Sequence, residues 1–332
     1  MSLKEIAQMT GTSVSTVSKV LNDTYGNCAS PELKEKIWAA AHETGYIPNK
    51  NARDLKKGII EKSEPRKIYI VTARVGSFDE DLFFKELYQK LEISLFKEGF
   101  LLGGVLKAQQ IDEAKVGEKD GVIVMGRSSE RLIKDLQGKT GNIVGIWRNT
   151  MDFAIDEIVC DGRKAAKMAV SYLYGLGHRN IGYIGDCSYE SRYVGYTEAM
   201  IGLDLAIDYN YIVPTDQSIK AGEKAMEKLL SVRELSAVLC ANDMTAAGVL
   251  KALGQQPRKE KRTISVISID DTELAQETRP MLTTVHIPRG EMAHMAVRIL
   301  SDRIDQGHSQ PLKVEFPCKI VVRESCCKVQ QQ

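Results

Sequence analysis

The run LKEIAQMTGTSVSTVSKVLN, residues 3–22, reads as two short helices joined by a tight turn. Ser2 and Glu5 have the spacing at which a cap hydroxyl and a carboxylate satisfy first-turn amides. Ile6, Ala7 and Met9 supply a small apolar face, and Thr10-Gly11-Thr12 interrupts it. Ser13 can cap a second helix, in which Val14, Val17, Val20 and Leu21 recur at helical spacing. Two helices that cross closely need a small residue at the crossing and freedom in the turn; Ala7 and Gly11 provide them. The outward residues of the second helix are short or adaptable. Val14 fits a thymine methyl, Ser15 donates or accepts, and Lys19 can reach a guanine edge. Ser13, Thr16, Ser18 and Asn22 suit phosphate oxygens. Spacing alone leaves two readings open, a DNA reader or a generic three-helix module that binds protein.

Working outward, a third helix opens at Ser30-Pro31, a cap followed by proline at its first position, and ends near Gly45 and Pro48. Residues 49–67 form a joint. Lys50, Arg53, Lys56, Lys57 and Lys62 make it locally basic, and Ala52 and Leu55 keep helical spacing over 49–57. A solvated linker accounts for its Ser, Glu and Pro but not for that spacing.

From Ile68 the pattern changes. β-rich runs at 68–72, 121–125, 142–147, 180–185, 237–240 and 264–269 alternate with amphipathic stretches. Helices are predicted over 82–98, 163–176, 192–203, 221–230 and 245–253. Such alternation implies doubly wound parallel sheets, here enough for two lobes with a ligand cleft where strand ends face each other.

The totals agree with a multi-domain globular chain of 332 residues, 43% hydrophobic and 27% charged. Lys and Arg number 45 against 44 Asp and Glu, so any nucleic-acid surface is local, not a global field. The seven cysteines form no CxxC pair, and reduced, mostly buried thiols are expected rather than a metal or disulfide framework. The polar N-terminus predicts no secretory signal and no apolar run is long enough to span a bilayer, so a cytoplasmic location without membrane contact is expected.

Leu3 to Ala7, Gly11, Ser13 to Asn22, Gly45-Tyr46-Ile47-Pro48-Asn49, Ala52 and Leu55 together resemble the head of the LacI/GalR repressor family. Further landmarks extend the resemblance to the end of the chain: Leu176-Gly177-His178-Arg179, Arg192 with Gly195-Tyr196, Ala241-Asn242-Asp243, Asp270-Asp271 and Val322-Arg323-Glu324-Ser325. The resemblance implies an α/β fold with a helix-turn-helix head over 1–48 and a hinge helix and linker over 49–67. Residues 68–332 would form a two-lobed, periplasmic-binding-protein-like (Rossmann-like) body for effector binding and dimerisation. It implies base reading by Val14, Ser15 and Lys19, and minor-groove contact by a hinge carrying Asn49, Ala52, Arg53 and Leu55. Effector contacts fall on Phe83 and Phe84 of the first lobe and on Arg192, Asn242 and Asp270 of the second. Asp243 and Asp271 are read as helix caps instead, and His178 and His286 as structural.

Several positions depart from the family pattern. Lys19 stands where arginine is usual, Asp54 puts an acid in the hinge, and the linker is longer than usual. Trp147 stands where an aspartate is common and Gln217 where an aromatic is frequent, which leaves two readings: the stacking platform has moved to Trp147, or the effector is not a standard monosaccharide. The stretch 102–120 is short for the helix expected there. No GxGxxG after a strand, phosphate loop or nucleophile elbow supports an enzyme, and no cofactor is expected. The expectation is a repressor, homodimeric on pseudo-palindromic double-stranded operator DNA and controlled by a small effector, a sugar or sugar derivative. The rivals are a constitutive regulator with a vestigial sensor and an enzyme on a Rossmann-like body.

Overall fold

The computed structural model describes residues 3–22, 29–44, 46, 66–73, 78, 81–111, 115–149, 151–188, 190–232, 234–257 and 263–329. Asn49, Ala52, Arg53 and Leu55, and with them the expected hinge helix, lie outside the described residues, as does Cys28.

The head consists of helices Leu3–Thr10, Val14–Asn22 and Pro31–Glu43. Ser13 starts the second helix as expected, its Oγ accepting the Thr16 N–H at 3.0 Å. Ser30 does the same for Leu33 at 3.3 Å. Gly11 has φ +64°, a left-handed turn that a side chain would strain. Ile6, Ala7, Val17, Val20, Leu21, Ile37, Ala40 and Ala41 form the buried centre.

The body holds two six-stranded sheets. The first runs β11-β5-β4-β3-β1-β2, with β1 Lys67–Thr72, β2 Leu101–Lys107, β3 Gly121–Met125, β4 Ile143–Trp147, β5 Asp156–Val159 and β11 Lys313–Glu315. The second runs β12-β10-β9-β8-β6-β7, with β6 Ile181–Gly185, β7 Ile212–Pro214, β8 Ala237–Cys240, β9 Ser265–Asp270, β10 Thr283–His286 and β12 Lys319–Val321. Strand β12 pairs antiparallel with β10; the other pairs are parallel. Strands β3 and β4 are buried at every residue, which is why they read as unbroken apolar runs. The order reverses between β1 and β3 in one sheet and between β6 and β8 in the other. Those switch points open crevices at the carboxyl ends of the strands.

After β10 the chain returns to the first lobe through helix Arg289–Ile304, which packs on β3, β4, β5 and helix Leu82–Lys97. It then supplies β11 to one sheet and β12 to the other. Both lobes therefore share the C-terminal segment.

The expected strands and helices fall within a residue or two of those observed. The short stretch before β3 holds a 3-10 turn, Ala108–Gln110, and no α-helix among the described residues. The thiols are less buried than expected. Of the six described cysteines, all free, Cys160 and Cys240 are buried, Cys187, Cys318 and Cys326 are half-buried, and Cys327 is exposed. No helix among the described residues is long and apolar enough to cross a membrane.

Candidate functional site

Two surfaces have the makings of a site. On the head, Val17, Val20 and Leu21 turn inward, and Val14, Ser15 and Lys19 of the same helix remain exposed. Ser13 is exposed and Thr16 half-buried, but their hydroxyls already meet each other at 2.8 Å. Ser18 is half-buried, and Asn22 is the last residue of the helix. The face thus offers one methyl-bearing, one hydroxyl and one cationic side chain to a groove.

The second is a cavity of about 600 Å³ between the lobes. Strand ends build its first-lobe wall: Ala73 after β1, Gly126 and Arg127 after β3, and Trp147, Arg148 and Asn149 at the end of β4. Phe83 and Phe84 add the start of helix Leu82–Lys97, whose first amides are capped by Asp81. Asp186, Glu190 and Ser191 close it from the second lobe. Aromatic surface beside a few charged and amide groups is the composition of a small-molecule pocket.

Trp147 is 2% exposed, and its indole N–H has no acceptor among the described residues. Its ring lies over Gly145, where even a methyl group would collide with it, and meets Phe153 edge-on at 6.2 Å. The ring is therefore packed in the first-lobe core, with part of it lining the cavity. Arg148 crosses the cleft. Its guanidinium carbon sits 4.1 Å from the Phe83 ring centre, and its Nη1 is 2.6 Å from Asp270 Oδ1.

Asp270 ends β9 with φ 135° and Asp271 follows with φ 56°, conformations that cost a non-glycine residue of order 1–3 kcal/mol each. They turn both backbone carbonyls onto the Arg289 guanidinium. Arg289 also meets Glu86 at 2.9 Å, and Glu86 accepts the Glu273 N–H at 3.0 Å. Burial pushes the Asp81 and Glu86 carboxyls up from their ordinary values, against the pull of Arg148 and Arg289 respectively.

The remaining expected effector residues stand behind the cavity wall. Arg192, 2% exposed, donates to Glu190 at 2.8 Å, to the Ala241 carbonyl at 2.5 Å and to Gln217 Oε1 at 3.0 Å. Asn242 caps helix Asp243–Gly254 through Thr245 and donates to the Gln217 carbonyl at 3.2 Å. The fold thus brings Arg192 and Asn242 together on Gln217, a residue noted in the sequence only for what it replaces. Asn242, not Asp243, is the helix cap. Asp243 is a buried acceptor for Ser268, Thr272 and Thr284, and burial together with nearby Asp270 pushes its carboxyl up to about 6. Asp271 caps no helix either; it pairs with His286 and Arg323 at 2.8 and 2.6 Å. His178 bonds Ser236 and the Cys327 carbonyl, each at 3.0 Å.

Sequence reasoning missed Arg127, Arg148, Asn149, Asp186, Glu190 and Ser191. The signal was available for four of them, since Arg127, Arg148, Asn149 and Asp186 stand within two residues after strands that the sequence showed.

Residues 2–49 match the model of bacterial regulatory proteins of the lacI family, and residues 170–326 that of a periplasmic binding protein-like domain. The chain is 28% identical over 342 residues to the HTH-type transcriptional repressor PurR of Vibrio campbellii, covering 98% of this chain and 99% of that one. It is 28% identical over 341 residues to the HTH-type transcriptional repressor CytR of Escherichia coli K12, covering 97% and 95%. Among solved structures, a CelR–cellobiose complex of a transcriptional regulator matches with a TM-score of 0.68 at 22% identity, over 98% of this chain and all of that one. The lac repressor dimer bound to operator and the anti-inducer ONPF matches with 0.68 at 20%, over 98% and 99%.

Proposed function

We propose, from the premise that this chain belongs to the lacI family of bacterial regulatory proteins, that it represses transcription by binding operator DNA under the control of a carbohydrate. The observation that carries this reading is an exposed Val14-Ser15-Lys19 face in one chain with an aromatic-walled cavity between two lobes. In this reading Val14, Ser15 and Lys19 meet base edges while Ser13, Thr16, Ser18 and Asn22 meet phosphates. The segment with Asn49, Ala52, Arg53 and Leu55 enters the minor groove at the centre of a two-fold site. One small head makes too few contacts for tight specific binding, so two chains act together.

The cavity takes a sugar or sugar derivative against Phe83, Phe84 and Trp147. Asp270 is the natural acceptor for a pair of hydroxyls, and it becomes available when they displace Arg148 from its carboxylate. Arg192 and Asn242 serve the site from behind by fixing Gln217. A ligand that prefers the DNA-free lobe arrangement induces; one that prefers the bound arrangement co-represses. The solved relatives support the sugar class to this extent: one was determined with cellobiose, another with ribose.

The test is a thermal-shift and calorimetric screen of the full chain against cellobiose, ribose, other mono- and disaccharides, and nucleosides. A sugar present at about 100 times its Kd should stabilise the fold by about 2.7 kcal/mol, unconverted, and change operator affinity. Asp270→Ala should remove that response and leave DNA binding intact. Stabilisation by nucleosides alone would overturn the carbohydrate reading, and turnover of the ligand would overturn the regulator reading.

A further inference from the structure

Helix Leu82–Lys97 buries the stripe Leu87, Leu91 and Leu95 in the first lobe. Phe96 lies beside that stripe, a quarter-turn from Leu95, and clusters with the buried residues of the head. It is only 8% exposed. The head covers it. Trp38 meets the Phe96 ring edge-on at 5.1 Å, Tyr46 lies at 5.9 Å, and Phe96 belongs to the same buried cluster as Ile6, Val17, Leu21 and Ile37. The body thus contributes an aromatic side chain to the core of the head. Helix Val14–Asn22 also packs on helix Leu82–Lys97, yet its Val14, Ser15 and Lys19 stay exposed. The seat holds the head without covering its outward face.

The other end of the same helix lies in the cleft. Phe83 and Phe84 line the cavity, Phe83 stacks under Arg148, and Glu86 bonds the second lobe through Glu273. From Phe84 to Phe96 is twelve residues, about 18 Å of α-helix at 1.5 Å per residue. Asp81 caps its start, and helix Arg289–Ile304 packs along it, which stiffens it along its length. We propose that helix Leu82–Lys97 is a lever seated in the head by Phe96, which passes the state of the cleft to the DNA-reading helix by a route separate from the hinge and linker at 49–67. The sequence gives this route a purpose: the linker is long and carries Asp54, features ill suited to transmitting a movement.

This inference rests on reading the head as a DNA reader and the cavity as its control site. Its test uses neither DNA nor effector, so its failure leaves that reading standing. The chain has two tryptophans, Trp38 and Trp147. Biosynthetic 5-fluorotryptophan in the full-length protein gives two 19F resonances, assigned with Trp38→Phe. Phe96→Ala should move the Trp38 line and raise its solvent isotope shift severalfold while leaving the Trp147 line in place. Arg148→Ala, at the cavity end of the helix, should move the Trp147 line directly. It should also move the Trp38 line in the parent but not in Phe96→Ala. A Trp38 line indifferent to Phe96→Ala would mean that the head is not seated on the helix. A Trp38 response to Arg148→Ala that is absent in the parent, or equal in both backgrounds, would mean that the helix is not the route.

Discussion

Lys19 is exposed, on the outer face of a helix whose inner residues are buried in the head. Its ammonium is a point charge and not the planar fork of an arginine, so it contributes one directional contact to a base edge. Lys19→Ala should therefore weaken binding to the selected operator by about 1–3 kcal/mol and relax the preference at one base position. Competition gel shifts against operators altered at single positions check this. Equal losses on operator and random duplex would reduce Lys19 to a phosphate contact. The head was legible at this scale because its signals are local: Ser13 and Ser30 cap within three residues, and Gly11 makes its turn where it stands. The cavity was legible only in part. Phe83 and Phe84 could be placed by their position at a helix start, whereas the Arg148–Asp270 pair and the bonds of Arg192 to Ala241 and Gln217 join residues far apart in the chain. No spacing rule announces such contacts.

At the scale of elements, β5 shows why some strands escaped sequence reading. Asp156–Val159 opens with two acids and looks like a loop, yet it lies buried in the sheet. Asp156 accepts from the Arg303 guanidinium, the Leu312 N–H and His308, and Glu157 accepts the N–H groups of Met151 and Phe153. Burial raises the Asp156 carboxyl, but Arg303, Leu312 and His308 outweigh it and hold the group below its ordinary value. His308 sits between Asp156 and Asp302 at 3.1 and 2.6 Å. Partial burial opposes its charge, and the two carboxylates overcome that and raise its pKa above 6.5. A raised folded value means that the stabilisation is fully present below the ordinary pKa of 6.5 and fades as pH climbs through the folded one. His308→Gln should therefore lower the melting temperature by about 2–4 °C near pH 6, the shift that ~1 kcal/mol gives. The gap should narrow toward pH 8. Scanning calorimetry across that range checks it, and a constant gap would show that His308 does not titrate there.

At the scale of the molecule, the head, the cleft and the helix between them divide the work. In the proposed function the head would supply the DNA contacts and the cleft a two-state element, and helix Leu82–Lys97 spans the distance between Phe84 and Phe96. The alternation of strands and helices foretold the two-lobed body because doubly wound sheets bury both faces and so write continuous apolar runs into the sequence. It could not foretell where the head rests, since Phe96 reads in the sequence as one more apolar residue of a helix. All of this requires the chain to bind DNA by sequence, as a two-fold pair. The most direct test is selection by the full-length protein from a random duplex library at about 0.1 M salt, where non-specific binding is already weakened. The expected product is an enriched pseudo-palindrome with half-sites about one helical turn apart, about 10–10.5 base pairs from centre to centre. With Lys19→Ala the palindrome should persist, enriched less and with its preference relaxed at one base position of each half-site. Recovery of no preferred sequence, or of a single asymmetric site bound by one chain, would contradict it.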